Sequence, residues 1–268
     1  MFVGRIKNLF RELYDNRKLI IKLSLNDFKT KYAGSYLGRV WAFIQPIITV
    51  LVYWFVFEIG LRAGSLCDYP YILWLMSGLV PWFYFSEAWG GGTSALVEYN
   101  YLVKKVVFKI SILPIVKVIS SLFIHLFFVA FVTIMCVLYG YKLDLYSLQI
   151  LYYILCMFLM ILGLSYLTSA VVCFFKDLTQ IIGIILQVGV WLTPIMWDTE
   201  ILTPLLQKLF KLNPMYYIVD GFRDALLVKQ WFWEKPAWTA YYWIFTVFVF
   251  VVGVTIFKRL RVHFADVL

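Results

Sequence analysis

Between residues 24 and 46 the sequence SLNDFKTKYAGSYLGRVWAFIQP sets Lys29, Lys31 and Arg39 beside Tyr32, Tyr36 and Trp41, with Gly34 and Gly38 among them, directly ahead of a long apolar run. Clustered cations at the edge of a bilayer attract phosphate. Glycines there give the backbone freedom to turn. One chemistry these residues offer is the holding of an anionic lipid headgroup; the other is plain anchoring, with lysine stems snorkelling to phosphates. Other reactive groups are sparse. His125 stands in an apolar run without Asp, Glu or a second His, and reads as a packing residue. Lys117 reads as a lysine that snorkels from its span. Glu58 precedes Arg62 by four residues, a helical pair near the end of one run, and Glu87 lies near the end of the next. Neither occupies the middle of a span, where an ion-coupled carrier places its carboxylates. Cys67, Cys136, Cys156 and Cys173 show no metal-binding or redox spacing and read as small packing residues. The phosphate cradle GxxxxGK[ST] is absent, so any ATP must be hydrolysed by another chain.

The elements that must position these groups follow from composition. The 268 residues are 63% hydrophobic and only 15% charged, with a mean hydropathy of +0.84. Soluble domains carry about a quarter charged residues, so an all-α integral membrane protein is expected. Six spans fit the apolar runs, from about Val40 to Leu61, Tyr71 to Phe85, Ile112 to Tyr139, Ser147 to Phe175, Leu178 to Trp197 and Trp238 to Phe257. The net charge of +9 lies in the amino-terminal arm, the loop with Lys104, Lys105 and Lys109, and the carboxyl tail with Lys258, Arg259 and Arg261. With six spans all three fall on one side, which the positive-inside rule makes cytoplasmic for both termini. That distribution points to membrane lipids as partners and excludes nucleic acid. The charged start shows no cleavable signal peptide.

The expected division is a cytoplasmic arm and interfacial helix over residues 1–39 and a six-span membrane domain over 40–268. In the arm, Ile21, Leu25, Phe28 and Tyr32 form one helical stripe flanked by Lys22, Lys29 and Lys31. The segment from Ser94 to Lys109 is too polar to span, and Leu96, Tyr99, Leu102, Val103 and Val106 offer a face for contact. It also suits a basic loop that only fixes topology. The region from Asp198 to Lys235 reads as two short helices split by Asn213-Pro214, the first with the stripe Leu202, Leu205, Leu206, Leu209 and Phe210.

Six blocks in order carry a resemblance: KTKYAGSYLGRVWAFIQP, SGLVPWFYFSEA, EYNYLVKKVVFKISILP, FFKDLTQII, TPIMW and NPMYYIVDGFRDALL. Across essentially its whole length the chain resembles the permease subunits of ABC-type polysaccharide exporters for O-antigen and teichoic acid, with capsule exporters as more distant relatives. Lys109 departs from that pattern, which often has proline there. The resemblance implies a transport subunit of an ATP-driven exporter of lipid-linked cell-surface polysaccharide, working as a homodimer in a bacterial cell membrane. It implies a separate ATP-binding cassette subunit that holds ATP and Mg, and no cofactor in this chain. It places substrate access at Leu37 and Gly38, with Lys29, Lys31 and Arg39 gripping a lipid pyrophosphate. It makes residues 94–109 a coupling helix, with Glu98, Tyr99, Lys104 and Lys105 as contacts and residues 9–14 as a second contact. It makes residues 198–235 a re-entrant pair before the last span, with Pro194, Asn213, Pro214 and Tyr216 at an outer gate. Tyr53, Trp54, Phe57, Trp82, Tyr84, Trp191 and Trp197 are then candidates to line the polymer path by stacking on sugar rings, although lipid-facing belts use the same residues. Two other classes stay open: an ion-coupled secondary carrier, and a membrane-embedded glycan transferase with His125 as its base.

Overall fold

The computed structural model describes residues 11–31, 34, 36–61, 69–104 and 109–267, and every regular element among them is helical. The amphipathic arm forms α1 (Arg17–Thr30). A short turn of 3-10 helix over Gly38–Val40 leads into α2 (Trp41–Trp54), which continues as a π-helical segment over Phe55–Gly60. Next come α3 (Tyr71–Glu98), the single turn α4 (Asn100–Val103) and α5 (Ile112–Leu138). After these, α6 (Gln149–Val172) and α7 (Leu178–Leu192) are followed by two short helices, α8 (Pro204–Lys211) and α9 (Pro214–Arg223). The chain closes with α10 (Pro236–Leu260) and the turn α11 (Phe264–Val267). Pro204, Pro214 and Pro236 each stand at a helix start, where the missing N–H is no loss and the fixed φ favours the helix.

Among the described residues, four stretches are long and apolar enough to cross a membrane: Gly38–Gly60, Ile112–Leu138, Leu145–Val172 and Pro236–His263. The chain is therefore read as a multi-pass membrane protein. The other two expected spans differ from these in opposite ways. Helix α3 has 28 residues, about 42 Å at the helical rise, but it includes Glu87, Glu98 and the run Gly90-Gly91-Gly92. Helix α7 is apolar but has 15 residues, about 22 Å. The sequence expectation ended the second span at Phe85, whereas α3 runs on to Glu98 and takes in the first residues of the expected coupling segment.

The core explains the polarity of α3. It is the central helix, packed by α5, α6 and α9, with residues buried along most of its length. Covered by protein along most of its length, it needs no continuous lipid-facing stripe and tolerates small residues that allow close approach. A Cβ on Gly92 would sit 2.2 Å from Ser165 Oγ on α6, so only glycine fits there. Helices α6 and α10 meet as closely: a Cβ on Gly253 would lie 2.3 Å from the Gly163 carbonyl oxygen. By contrast, α2 buries only Ala42 and Val50, and α7 only Ile182.

Candidate functional site

Helix α1 presents two faces, where the sequence pattern suggests one. Ile20, Ser24 and Asp27, at helical spacing, are buried against the protein, mainly on α5. The neighbouring stripe of Ile21 and Leu25 is exposed and available to lipid, and Phe28 meets Phe123 edge to face. The docked face ends in a buried ion cluster. Lys117 Nζ on α5 lies 2.7 Å from Asp27 Oδ1 and 2.5 Å from Glu98 Oε2 at the end of α3. The Tyr99 hydroxyl donates to Asp27 Oδ1 at 2.6 Å, and the ammonium of Lys117 lies 5.1 Å from the centre of the Tyr99 ring. Burial would raise the pKa of Asp27, but attraction and hydrogen bonding from Lys117, with further bonds from Tyr99 and Ser120, outweigh it and hold the carboxyl below its ordinary range. Burial and the Asp27 charge push the Tyr99 phenol upward, so it stays a donor. Lys117 thus does not snorkel as expected: a lysine inside a span needs a counter-ion, and the docked helix supplies one. Asp27 was absent from the sequence-based candidates, and that unpaired lysine was the signal that pointed to it.

Beside the cluster lies a cavity of about 380 Å³ lined by Asp27, Thr30, Lys31, Glu87, Gly91, Glu98, Tyr99, Lys117, Ser120 and Ser121. Lys31 reaches Glu87 Oε1 at 2.7 Å, while Lys29 and Arg39 point to the surface as exposed cations. Between them Gly34 and Gly38 take φ values of +95° and +53°. These are left-handed conformations that side-chain-bearing residues adopt at a cost, and nothing lies within 4 Å of a Cβ at either position. The glycines are required by the turn and not by crowding. Leu37, next to Gly38, is exposed. Of the expected coupling contacts, Glu98 and Tyr99 belong to the ion cluster, Lys104 is exposed, and Lys105 lies outside the described residues, as do residues 9 and 10 of the second contact.

The aromatic candidates do not form one cluster. Tyr53 on α2 and Trp191 on α7 meet edge to face at 6.3 Å, and the Trp197 indole donates to the Trp191 carbonyl at 3.1 Å while its ring meets Phe210. Trp54 is half-buried beside Tyr53 in sequence, and Phe57 stacks on Tyr71 at 5.9 Å. Trp82 forms part of an apolar groove of about 610 Å³ with Trp89, Leu192, Phe210, Pro214 and Phe245, its ring so near α7 that a Cβ on Gly189 would come within 2.8 Å. Tyr84 stands apart from these, buried between α3 and α5, stacked on His125 at 4.7 Å and donating to the Val118 carbonyl. His125 is buried between Tyr84 and Phe222, the surroundings of a packing residue. Among the described residues no cluster of His, Cys, Asp or Glu is arranged to hold a metal.

At the opposite end, α7 stops at Leu192 and the extended Thr193 leads into Pro194. Asn213 ties this break to α9: its Nδ2 donates to Thr193 Oγ1 at 2.9 Å and its Oδ1 caps the helix by accepting from Met215 N at 3.0 Å. Pro214 follows as the first helical residue, and Tyr216 lies near Lys211. The buried Arg223, another residue the sequence candidates omitted, lies 3.8 Å over the Trp74 ring and donates to the Ile195 carbonyl at 2.8 Å. A charge within an apolar helix again was the available signal. Lys235 bridges Asp220 and Asp224 at 2.7 and 2.5 Å. Sharing one ammonium has unequal effects. Two carboxylates keep Lys235 charged against its burial, whereas burial and the Asp220 charge push Asp224 up to about 6 despite the pairing.

The profile of the ABC-2 type transporter family matches residues 19–227. Among the curated relatives named O-antigen export system permease protein RfbA are one from Myxococcus xanthus and one from Klebsiella pneumoniae. The one from Myxococcus xanthus is 28% identical over 217 residues, covering 80% of this chain and 82% of its own. The one from Klebsiella pneumoniae is 23% identical over 252 residues, covering 93% of this chain and 95% of its own.

Proposed function

The chain belongs to the ABC-2 type transporter family, and on that premise we propose that it is the membrane-spanning subunit of an ATP-driven exporter of lipid-linked cell-surface polysaccharide. O-antigen, named for its relatives, is the leading cargo, and teichoic acid shares the same chemistry. The reading has six spans, α3 and α7 included, with both termini in the cytoplasm of a bacterium and α8 and α9 entering the outer half of the membrane without crossing it. Backbone as irregular as Thr193–Asn213 is tolerated at membrane depth only against protein or water, and the bond from Asn213 to Thr193 meets part of that need.

The observation that carries the reading is the pair of helices the protomer leaves uncovered. Helices α2 and α7 bury three residues between them, Ala42, Val50 and Ile182, and they bear Tyr53, Trp54 and Trp191. Two copies apposed along these helices would enclose an aromatic path, with Trp82, Phe57 and Trp197 beside it and Tyr84 supporting from behind. Lys29, Arg39, Leu37 and Gly38 would receive the pyrophosphate at the cytoplasmic surface. The segment from Glu98 through Lys105 would rest on a separate ATP-binding subunit that supplies ATP and Mg, and Pro194, Asn213, Pro214 and Tyr216 would form the outer gate. The same geometry disfavours the two other classes: His125 is enclosed by rings, and Glu87, which the longer α3 places inside the helix and not near its end as the sequence pattern suggests, is paired with Lys31 of the amino-terminal arm.

Co-purification with the ATP-binding subunit encoded beside it, followed by ATPase measurement in proteoliposomes, tests the proposal. Lipid-linked O-antigen or teichoic acid precursors should stimulate hydrolysis. A complex that forms with two copies of this chain yet responds to no lipid-linked glycan would overturn it.

A further inference from the structure

The cavity under α1 differs in charge from the surface beside it. Outside, Lys29 and Arg39 are exposed cations. Inside, three carboxylates face two ammonium groups, and each ammonium is already paired, Lys31 with Glu87 and Lys117 with Asp27 and Glu98. Asp27 is held ionised by those contacts. A pyrophosphate entering this space would meet an excess of negative charge in a partly desolvated site, where such repulsion is weakly screened. A neutral group rich in hydroxyls meets the opposite situation. Carboxylate oxygens accept from it; the hydroxyls of Thr30, which donates to the Asn26 carbonyl, and of Ser120, which donates to Asp27, keep lone pairs to accept, and that of Ser121 can donate or accept.

We propose that this cavity receives the first sugar residue of the lipid-linked glycan while the pyrophosphate stays outside with Lys29 and Arg39; the assignment rests on the exporter reading above. At about 380 Å³ the space is at the small end of ligand pockets, which span roughly 300–1,000 Å³. It suits one ring and not a polymer. Its position agrees, because Thr30 and Lys31 in its wall directly precede the Gly34 to Arg39 turn in the chain. Gly91 keeps the floor open: a Cβ there would meet only the Lys117 stem, at 3.9 Å. Alanine at 91 therefore fits, and a longer side chain would occupy the sugar's place.

The test is binding to the full chain in nanodiscs of neutral lipid, with two probes, a polyprenyl diphosphate carrying one hexose and the bare polyprenyl diphosphate. The parent chain and Gly91→Ala should prefer the sugar-bearing probe by about tenfold, the worth of one or two net hydrogen bonds. Gly91→Leu should bring the ratio of the two affinities below about twofold. The pair Thr30→Val with Ser121→Ala, which removes hydroxyls without touching the ion pairs, should lower the ratio about fivefold. Equal affinities for both probes in the parent, or an undiminished ratio in both sets of variants, would overturn the assignment. Failure of both probes to bind the parent would instead remove the exporter reading on which it stands.

Discussion

Replacing Lys117 by Met should destabilise the protein through Asp27, and hardly at all through Glu98. The side chain of Asp27 is 7% exposed and that of Glu98 50%, so loss of the shared ammonium strands the first and leaves the second to water. An uncompensated buried charge costs about 3–5 kcal/mol. Asp27 keeps the Tyr99 hydroxyl at 2.6 Å and borders a cavity that admits water, which puts the expected cost near 3 kcal/mol. Asp27→Asn leaves Lys117 paired with Glu98 and should cost about 1.5 kcal/mol. With both changes no buried charge is stranded. The double variant should then lose about 2 kcal/mol, well short of the sum, for a coupling energy of roughly 2–3 kcal/mol. Unfolding by SDS in mixed micelles, followed through the fluorescence of the 11 tryptophans, measures all four proteins. Costs that add to within about 0.5 kcal/mol would show that the two residues do not depend on each other, and the account of α1 docking would be wrong.

At Gly38, with φ +53°, Ala should cost about 1–2 kcal/mol locally and slow transport, whereas Asn, which tolerates this region, should do less harm; equal effects of the two in a proteoliposome assay would refute the conformational explanation. Gly92→Ala should prevent normal packing of α3 on α6, and Ser165→Gly should rescue it where Ser165→Ala does not, because both Ser165 Oγ and Cβ fall within 2.7 Å of the added methyl; yield of folded protein on size exclusion decides this. The raised pKa of Asp224, about 6 against an ordinary 3.8, contributes stability that is full below about pH 4 and lost as pH rises through 6, so Asp224→Asn should flatten the stability profile between those values. Asp27 has the opposite sign: its lowered pKa gives stability that is present above the ordinary value and lost as pH falls through the folded one, so Asp27→Asn should lower the melting temperature near neutral pH and flatten the acid limb, the variant and parent series converging in acid. Arg39→Gln should raise the half-saturating concentration of lipid-linked glycan about tenfold at fixed anionic lipid, by loss of one charge-assisted contact; superimposable titrations would leave Arg39 as an anchor.

Apolar runs long enough to cross a bilayer were legible in the sequence, because a lipid-facing helix must be apolar over its whole length. A helix starting at Tyr71 is present, but its extent was not legible: it runs past Phe85 to Glu98 through contacts with α5 and α6 that no local pattern reveals. Gly34 and Gly38 were legible as a turn from their setting between an amphipathic helix and a long apolar run. The second face of α1 was not foreseen: Ile20, Ser24 and Asp27 share helical spacing, but two of the three are polar, and a search for apolar periodicity passes over them. Among the aromatics, type and position could not separate Tyr84, stacked on His125, from Trp82, which faces a groove. That distinction depends on which helix lies opposite, a property of tertiary packing alone.

Where Gly163 and Gly253 bring α6 and α10 together, the Cβ-sized space is already taken by backbone of the facing helix. Backbones in such contact have no side-chain layer to repack, so one helix cannot slide along the other in small steps, and Gly92 against Ser165 joins α3 to the same body. Three helices thus behave as a stiff plank. Any widening of a passage has to come from the lightly attached α2 and α7, each of which ends in a break of its own, at Gly34 to Gly38 for the first and Thr193 to Pro194 for the second. Motion in this protein is therefore a matter of two hinged shutters on a fixed frame, and cysteine pairs locking α6 to α10 should leave the transport cycle running while pairs locking α2 to α7 stop it.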